Sequence, residues 1–447
     1  MKVTIVNGSP RGENSITLQT SLYLQKKFPS HKYTILNAGA TIHSLEKDFT
    51  PALKAIKSAD LVIFSYPVYT FTVPSQMHCF IELLKKQDIS FSTKVATQIS
   101  TSKHFYDICA HRFMEENFFD MGFKVVEGLS ADSGDLLTDK GQKEASDFFS
   151  HLLFSMENKN FMEKPSKCIA HTQAKFRAIT PKGVKIPGYD IVIVADMDAK
   201  DTNLQNLISN FQNELKFTTK IINIADFEFK GGCLGCLNCV IDGKCVYKDG
   251  FDSFFRENIQ NADAIIYAGK VQDHSLGLRF KMFDDRQFCN GHRTVTSGIP
   301  IAYLLTGDIM AESNLRMVLE GKAQVGHNYL AGFAYDKSSL SKVVDNITFA
   351  LENRYVPPQN FLGIGGMKIF RDLVYTMQGF LKEDHNFYKK NGFYDFPQKD
   401  KKTIFMSKIL GFLLKNKKIQ KQAKSKMNDA MLEPYKKIID SVEITVK

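Results

Sequence analysis

Short apolar runs, each closed by a polar turn and followed by a stretch with helical spacing, recur along the first 355 residues. Lys2-Val3-Thr4-Ile5-Val6 stops at Asn7-Gly8, and the next segment sets Leu18 and Leu22 on one helical face. Runs this uniformly apolar suit strands buried on both sides, in parallel sheets covered by helices. The order then repeats. Asp190-Ile191-Val192-Ile193-Val194 opens a second series, in which Asn261-Ala262-Asp263-Ala264-Ile265-Ile266-Tyr267 answers Ser58-Ala59-Asp60-Leu61-Val62-Ile63-Phe64. Two tandem doubly wound α/β domains are therefore expected, over 1–157 and 189–355. A connector over 158–188, with Pro165, Pro181 and Pro187 and some short strand pairing, joins them, and a mainly helical extension over 356–447 follows.

Composition changes this picture in one place. With 43% hydrophobic and 24% charged residues, the 447-residue chain reads as soluble and globular. The longest apolar stretch, 404–414, contains Lys408 and is too short to span a bilayer. A chain that opens on a buried strand has no secretion signal, so a reducing cytoplasm is implied. The net charge of +10 is not spread evenly: residues 361–447 hold 18 Lys and Arg against 9 Asp and Glu, and residues 1–360 hold 40 against 39. Within that tail, 404–419 reads as an amphipathic helix with a basic flank at Lys415, Lys417, Lys418 and Lys421. It suits docking on the body, an anionic membrane surface or an acidic redox partner. Aromatics interleave with lysines over 384–397, but no nucleic-acid-binding signature accompanies them, so nucleic acid is not expected.

Four of the eight cysteines, Cys233, Cys236, Cys239 and Cys245, fall within thirteen residues. Three thiolates at C-x2-C-x2-C spacing, with a fourth beyond the Asp242-Gly243 turn, suit the corners of a [4Fe–4S] cluster. Zinc is the main rival, although its structural sites draw ligands from two separated pairs; thiols without metal are the other. Disulfides are the weakest option. Cys79, Cys109, Cys168 and Cys289 are scattered singly, and Cys79 lies in an apolar stretch where it serves as a small buried hydrophobe.

A second constellation occupies the first repeat. The loop Asn7-Gly8-Ser9-Pro10-Arg11-Gly12-Glu13-Asn14-Ser15-Ile16-Thr17 leads into a helix whose positive end suits a phosphate, though an ordinary strand-to-helix turn looks similar. Tyr66-Pro67-Val68-Tyr69, ending the third strand, forms an aromatic rim, and Ser100-Thr101-Ser102 adds donors after the fourth. The second repeat has Ala195-Asp196-Met197-Asp198 at the first of these positions, where carboxylates repel phosphate, and Lys270-Val271-Gln272 at the next. Asp201-Thr202-Asn203 leaves room for an unusual phosphate loop there.

These segments, together with the cysteine run and the following Asp249-Gly250-Phe251, resemble the flavodoxin-like NADPH-dependent FMN reductases and their iron–sulfur flavoprotein branch. The resemblance covers about residues 1–355 and implies a flavodoxin-like fold in both repeats. It implies FMN, with its phosphate at Ser9, Arg11, Ser15 and Thr17 and its ring near Pro67, Val68, Tyr69, Ser100, Thr101 and Ser102. It also implies electron transfer between that flavin and a [4Fe–4S] cluster on Cys233, Cys236, Cys239 and Cys245. Members of that branch usually hold both centres in one domain, whereas here FMN falls to the first repeat and the cluster to the second.

The expected activity is that of an oxidoreductase passing electrons from NAD(P)H or a reduced carrier to a small-molecule or protein redox partner. An electron carrier without a substrate pocket, or a redox or iron sensor, remains the alternative. His104 and Tyr69 are candidate proton donors. Over 280–293, Arg286, His292 and Arg293 mark either a salt-bridged helix end or a site for an anionic substrate. The sequence leaves oligomeric state open, a homo-oligomer included.

Overall fold

The computed structural model describes residues 1–165, 174–179 and 184–441. Cys168, Pro181 and much of the expected connector lie outside the described residues.

The first half runs β1 (Lys2–Asn7), α1 (Ile16–Lys27), β2 (Lys32–Leu36), α2 (Ile42–Leu45), α3 (Thr50–Ser58), β3 (Leu61–Pro67) and α4 (Ser75–Lys85), then β4 (Val95–Ser102), α5 (Asp107–Asp120), β5 (Lys124–Val125), β6 (Leu129–Asp132) and α6 (Asp139–Glu157). The second repeats the plan with β7 (Ile191–Ala195), α7 (Thr202–Glu214), β8 (Lys220–Asn223), α8 (Cys239–Asp242), α9 (Phe251–Asn258), β9 (Ala264–Lys270), α10 (Leu278–Arg286), β10 (Ile301–Thr306), α11 (Ser313–Val325), β11 (Leu330–Ala334) and α12 (Lys337–Asn353). Helices α13 (Phe361–Thr376), α14 (Lys382–Lys390), α15 (Lys401–Leu413) and α16 (Lys417–Asp440) complete the chain.

Both sheets are parallel, in the orders β2-β1-β3-β4-β5, with β6 also on β4, and β11-β10-β9-β7-β8. Read within its own half, the second order is the first reversed. Each is the flavodoxin-like order, which opens a crevice at the carboxyl edge between the first and third strands. The apolar runs explain the layers: Val3 and Ile5 face α1 and α6, while Val6, Phe64 and Ala96 face α3, α4 and α5, so the central strands β1, β3 and β4 are buried on both sides.

The halves meet through α4 and α10, which cap each other. Neither helix has a capping side chain of its own, because Pro74 and Gly277 occupy those positions. Instead Asp285, at the end of α10, accepts from the Ser75 amide at 2.8 Å, and Glu82, at the matching position of α4, accepts from the Leu278 amide at 3.0 Å. Each carboxylate also meets the positive end of the opposite helix dipole. The preceding turns match as well. Tyr69–Thr72 and Gln272–Ser275 are each closed by reciprocal backbone bonds, with φ positive at Thr70, Phe71, Asp273 and His274.

The chain divides into a compact unit over Met1–Phe387, holding both sheets and α13, and a second over Tyr388–Lys447. The amphipathic helix expected over 404–419 is interrupted: α15 stops at Leu413, and Asn416 caps α16 by accepting from the Lys418 amide. Among the described residues, no helix is long and apolar enough to cross a membrane.

Candidate functional site

The loop from β1 to α1 is held from below. Asn7 donates to the Gly12 carbonyl at 2.8 Å and to Asn37 Oδ1 at 3.0 Å, and the Gly39 amide donates to the Asn7 carbonyl at 2.9 Å. Ser9 is buried, and its hydroxyl accepts from the Arg11 amide. Ser15 caps α1 by accepting from the Leu18 amide, and buried Thr17 pairs with Thr101 at 2.5 Å. Ser9, Arg11, Ser15 and Thr17 thus surround the amino end of α1, where unsatisfied amides and the helix dipole favour an anion.

Of the ring-side candidates, Pro67 ends β3 and Val68 donates its amide to the Thr101 carbonyl. Side chains alternate along β4, so the three candidates there do not share one face. Thr101 turns to α1; Ser100 turns to α5 and pairs with His111 Nε2 at 2.8 Å; Ser102 accepts from the His104 amide. Ser100 is therefore committed to the domain interior. His104, at the surface, pairs with Asp107 at 2.8 Å.

Tyr69 is the hinge between the two constellations. Its ring meets Phe288 edge-on at 5.8 Å, its carbonyl accepts from Lys281 Nζ at 2.7 Å, and burial, then the thiols of Cys233 and Cys236, raise its pKa. The positive charge of Arg11 is also felt at its phenol. A methyl group on Gly235 would lie 1.9 Å from Tyr69 Oη, and one on Gly232 would lie 1.7 Å from Ser75 Oγ. Gln76 Nε2 donates to the Cys233 carbonyl at 3.2 Å. Glycines at 232 and 235 thus let the cysteine run lie against the β3–α4 loop of the first half.

Burial raises Cys233, and Asp285, then Cys239 and Cys236, add to that; Cys239 is pushed up to about 11 by burial, then by Cys245 and Cys236. The Gly235 amide donates to Cys233 Sγ at 3.4 Å, and the Cys239 thiol donates to the Phe288 carbonyl at 3.3 Å. Arg286 is buried, bonds Asp249 through two nitrogens at 2.7 and 2.6 Å and donates to the Gly231 carbonyl at 3.0 Å, with Cys245 among the groups that hold its charge. Arg286 thus braces the cysteine run, and His292 and Arg293 both meet Asp384 while also lining the cavity described below.

Donor chemistry and spacing bear on what the run fits. Among the described residues, the three ligand atoms found mutually within 4.8 Å belong to Glu116, His274 and Glu312, and no three cysteine sulfurs come that close. Thiolates sharing one zinc ion at about 2.3 Å stand about 3.8 Å apart. Thiolates on separate irons of a cluster stand wider, and N–H donors to sulfur, as at Gly235, belong to such sites. Four cysteines beside a guanidinium have the donor chemistry an anionic cluster would use, and among the described residues no three of their sulfurs stand mutually within 4.8 Å.

His274 itself is an ion-pair hub. It pairs with Glu312 at 2.8 Å and Asp120 at 3.0 Å, each through its own ring nitrogen. Burial alone would lower its pKa, but these bonds and the charges of Glu312 and Glu116 outweigh it and raise it to about 10.

In the second half the matching loop carries ion pairs. Asp196 pairs with Arg279, and Asp198 lies 3.8 Å from the same guanidinium. Asn203 binds described connector residues, donating to the Ala174 carbonyl at 3.1 Å and accepting from the Phe176 amide at 2.8 Å.

A cavity of about 340 Å³ opens beside the ring-side loops. Val68, Ser102 and Phe105 line it from the first half, Phe288 and Lys322 from the second, and Phe370 of α13 from above. Sequence reasoning missed this cavity and its α13 wall; the clue available was Phe370, an aromatic on the apolar helix 361–376.

Residues 1–129 match the family described as NADPH-dependent FMN reductase. An iron-sulfur flavoprotein of Archaeoglobus fulgidus is 26% identical over 213 residues, covering 44% of this chain and 91% of that protein. Among solved structures, an FMN-dependent NADH-azoreductase from Bacillus anthracis in complex with FMN shares 14% identity over 34% of this chain and 99% of its own, with a TM-score of 0.28. An NAD(P)H:quinone oxidoreductase from Methanothermobacter marburgensis shares 11% over 37% and 99%, with a TM-score of 0.29.

Proposed function

We propose that this chain is an oxidoreductase that binds FMN in the crevice of its first half and a [4Fe–4S] cluster on Cys233, Cys236, Cys239 and Cys245 of its second. NAD(P)H or a reduced carrier is the electron donor in this reading. The observation that carries it is the contact of the cysteine run with Tyr69, Ser75 and Gln76, on the loop that would border the flavin ring. The matched family and the Archaeoglobus fulgidus relative, named for both kinds of centre, support it.

When bound, FMN supplies a two-electron acceptor that releases electrons singly, and the cluster supplies a one-electron carrier. The protein's part is positioning. Ser9, Ser15 and the α1 amino end hold the phosphate, with Arg11 adding charge. Tyr69, fixed by Lys281 and Phe288, keeps the ring side and the thiol side in register. Arg286 offsets negative charge at Cys245. The 340 Å³ cavity gives a substrate access to the ring side, which favours an enzyme over a carrier that lacks a pocket.

Anaerobic purification followed by iron, sulfide, zinc and FMN assays tests the assignment. About four irons and four sulfides with one FMN per chain are expected. Cys236→Ala then loses iron and keeps FMN, and Ser9→Ala with Arg11→Ala does the reverse. Zinc without iron would overturn the cluster.

A further inference from the structure

The carboxyl-terminal unit exposes apolar side chains that nothing in the chain's redox chemistry uses. Helix α15 buries none of its residues, and Phe405, Leu410 and Phe412 are 64%, 54% and 71% exposed. Ile404, Met406, Ile409 and Leu413 are exposed on the same helix. Water disfavours such a surface in proportion to the apolar area left uncovered.

The charge around it is one-sided. Between 401 and 426 the chain has nine lysines and no Asp or Glu, although residues 1–360 are within one charge of neutral. The structure thus joins two features on one segment: an apolar helix open to solvent, and an uncompensated cationic stretch that continues from it through the Asn416 cap into α16.

We propose that α15 and the first turns of α16 lie on an anionic phospholipid surface, with the apolar side chains in the acyl boundary and the lysines among the headgroups. Each lysine near such a surface adds to the attraction, and side chains such as Phe405 and Phe412 gain by leaving water. An acidic protein surface would answer the lysines and leave the exposed Phe, Leu and Ile side chains uncovered; a bilayer answers both. The helix lies on the membrane and does not cross it. Thirteen residues span about 20 Å, short of the roughly 30 Å hydrocarbon core.

The test uses the full chain with its bound cofactors, sedimented with vesicles of phosphatidylcholine alone or with phosphatidylglycerol at about a third of the lipid. Retention is expected on the anionic vesicles, with a loss of about tenfold or more in partitioning at high salt or on phosphatidylcholine alone. The triple change Phe405→Asp, Leu410→Asp and Phe412→Asp should abolish retention while cofactor content and circular dichroism stay those of the wild type. Replacing Lys415, Lys417, Lys418 and Lys421 by Gln should weaken binding and flatten its salt dependence. No retention at low salt would overturn the proposal. So would a triple variant that binds like the wild type, which would mean charge alone is at work. A concentration-dependent dimer abolished by the triple change, without vesicle binding, would assign the surface to a second copy instead.

Discussion

Asp285 shows how much depends on one side chain that no motif singles out. It is fully buried, paired with Lys281 at 2.7 Å, and its two oxygens also accept from Thr70 Oγ1 and the Ser75 amide, both at 2.8 Å. Asp285→Ala strands a buried ammonium and an uncapped helix together. A loss of about 3–5 kcal/mol in unfolding free energy is expected by urea titration. Changing Lys281 to Met alongside should recover part of that loss, since no unpaired charge then remains buried. A double variant no more stable than the single one would remove the pairing from the account. The cysteine run stands out in sequence because four thiols at short spacing have few other uses. Asp285 does not, because in sequence Asp284-Asp285-Arg286 reads as part of a salt-bridged helix end, with nothing to show that its partners lie in the other half. Ser100 misled for a related reason: composition placed a hydroxyl at the sheet edge, and strand alternation turned it towards His111.

Among elements, parallel strands covered by helices followed from the apolar runs, since period and burial on both faces leave one arrangement of layers, and the strand order came with the family resemblance. What buttresses the phosphate loop did not. Gly39, in the loop after β2, touches it so closely that a Cβ there would lie 2.3 Å from the Gly8 carbonyl oxygen and 2.5 Å from the Ser9 carbonyl carbon. Both are backbone atoms and cannot swing aside. Gly39→Ala should therefore push Gly8 and Ser9 out of place, at a cost of about 1–3 kcal/mol in stability and with weaker FMN retention after gel filtration. A Gly39→Ala protein that holds FMN as tightly as the wild type would show that the loop tolerates the shift. The division of the expected 404–419 helix has the same local character: Asn416 offers its side chain to the Lys418 amide, a start signal inside a hydrophobic pattern that otherwise runs on.

For the whole molecule, the repeat was legible and the way its halves join was not, because the contacts pair residues about 150 to 215 positions apart. His274 is the titratable part of that junction. It stands on the second half against Asp120 and Glu116 of α5, with Glu312 on its other side, and Lys85 and Asp273 form a further pair beside it at 2.6 Å. Burial opposes its charge, the carboxylates win, and its pKa in the folded chain rises to about 10 from an ordinary 6.5. A group whose folded pKa is raised stabilises the fold fully below its unfolded pKa and loses that contribution as pH climbs through the folded value. Burial also raises Glu116 to about 7, so part of the neighbouring negative charge develops within the same window and holds the imidazolium more firmly as it forms. The stability difference between the wild type and His274→Gln should be largest near pH 6, shrink steadily above it and close beyond about pH 10. Urea denaturation of both proteins from pH 6 to 10 measures that difference directly. A gap that stays constant across the range would mean the ring acts by packing, and that the halves are held without its charge.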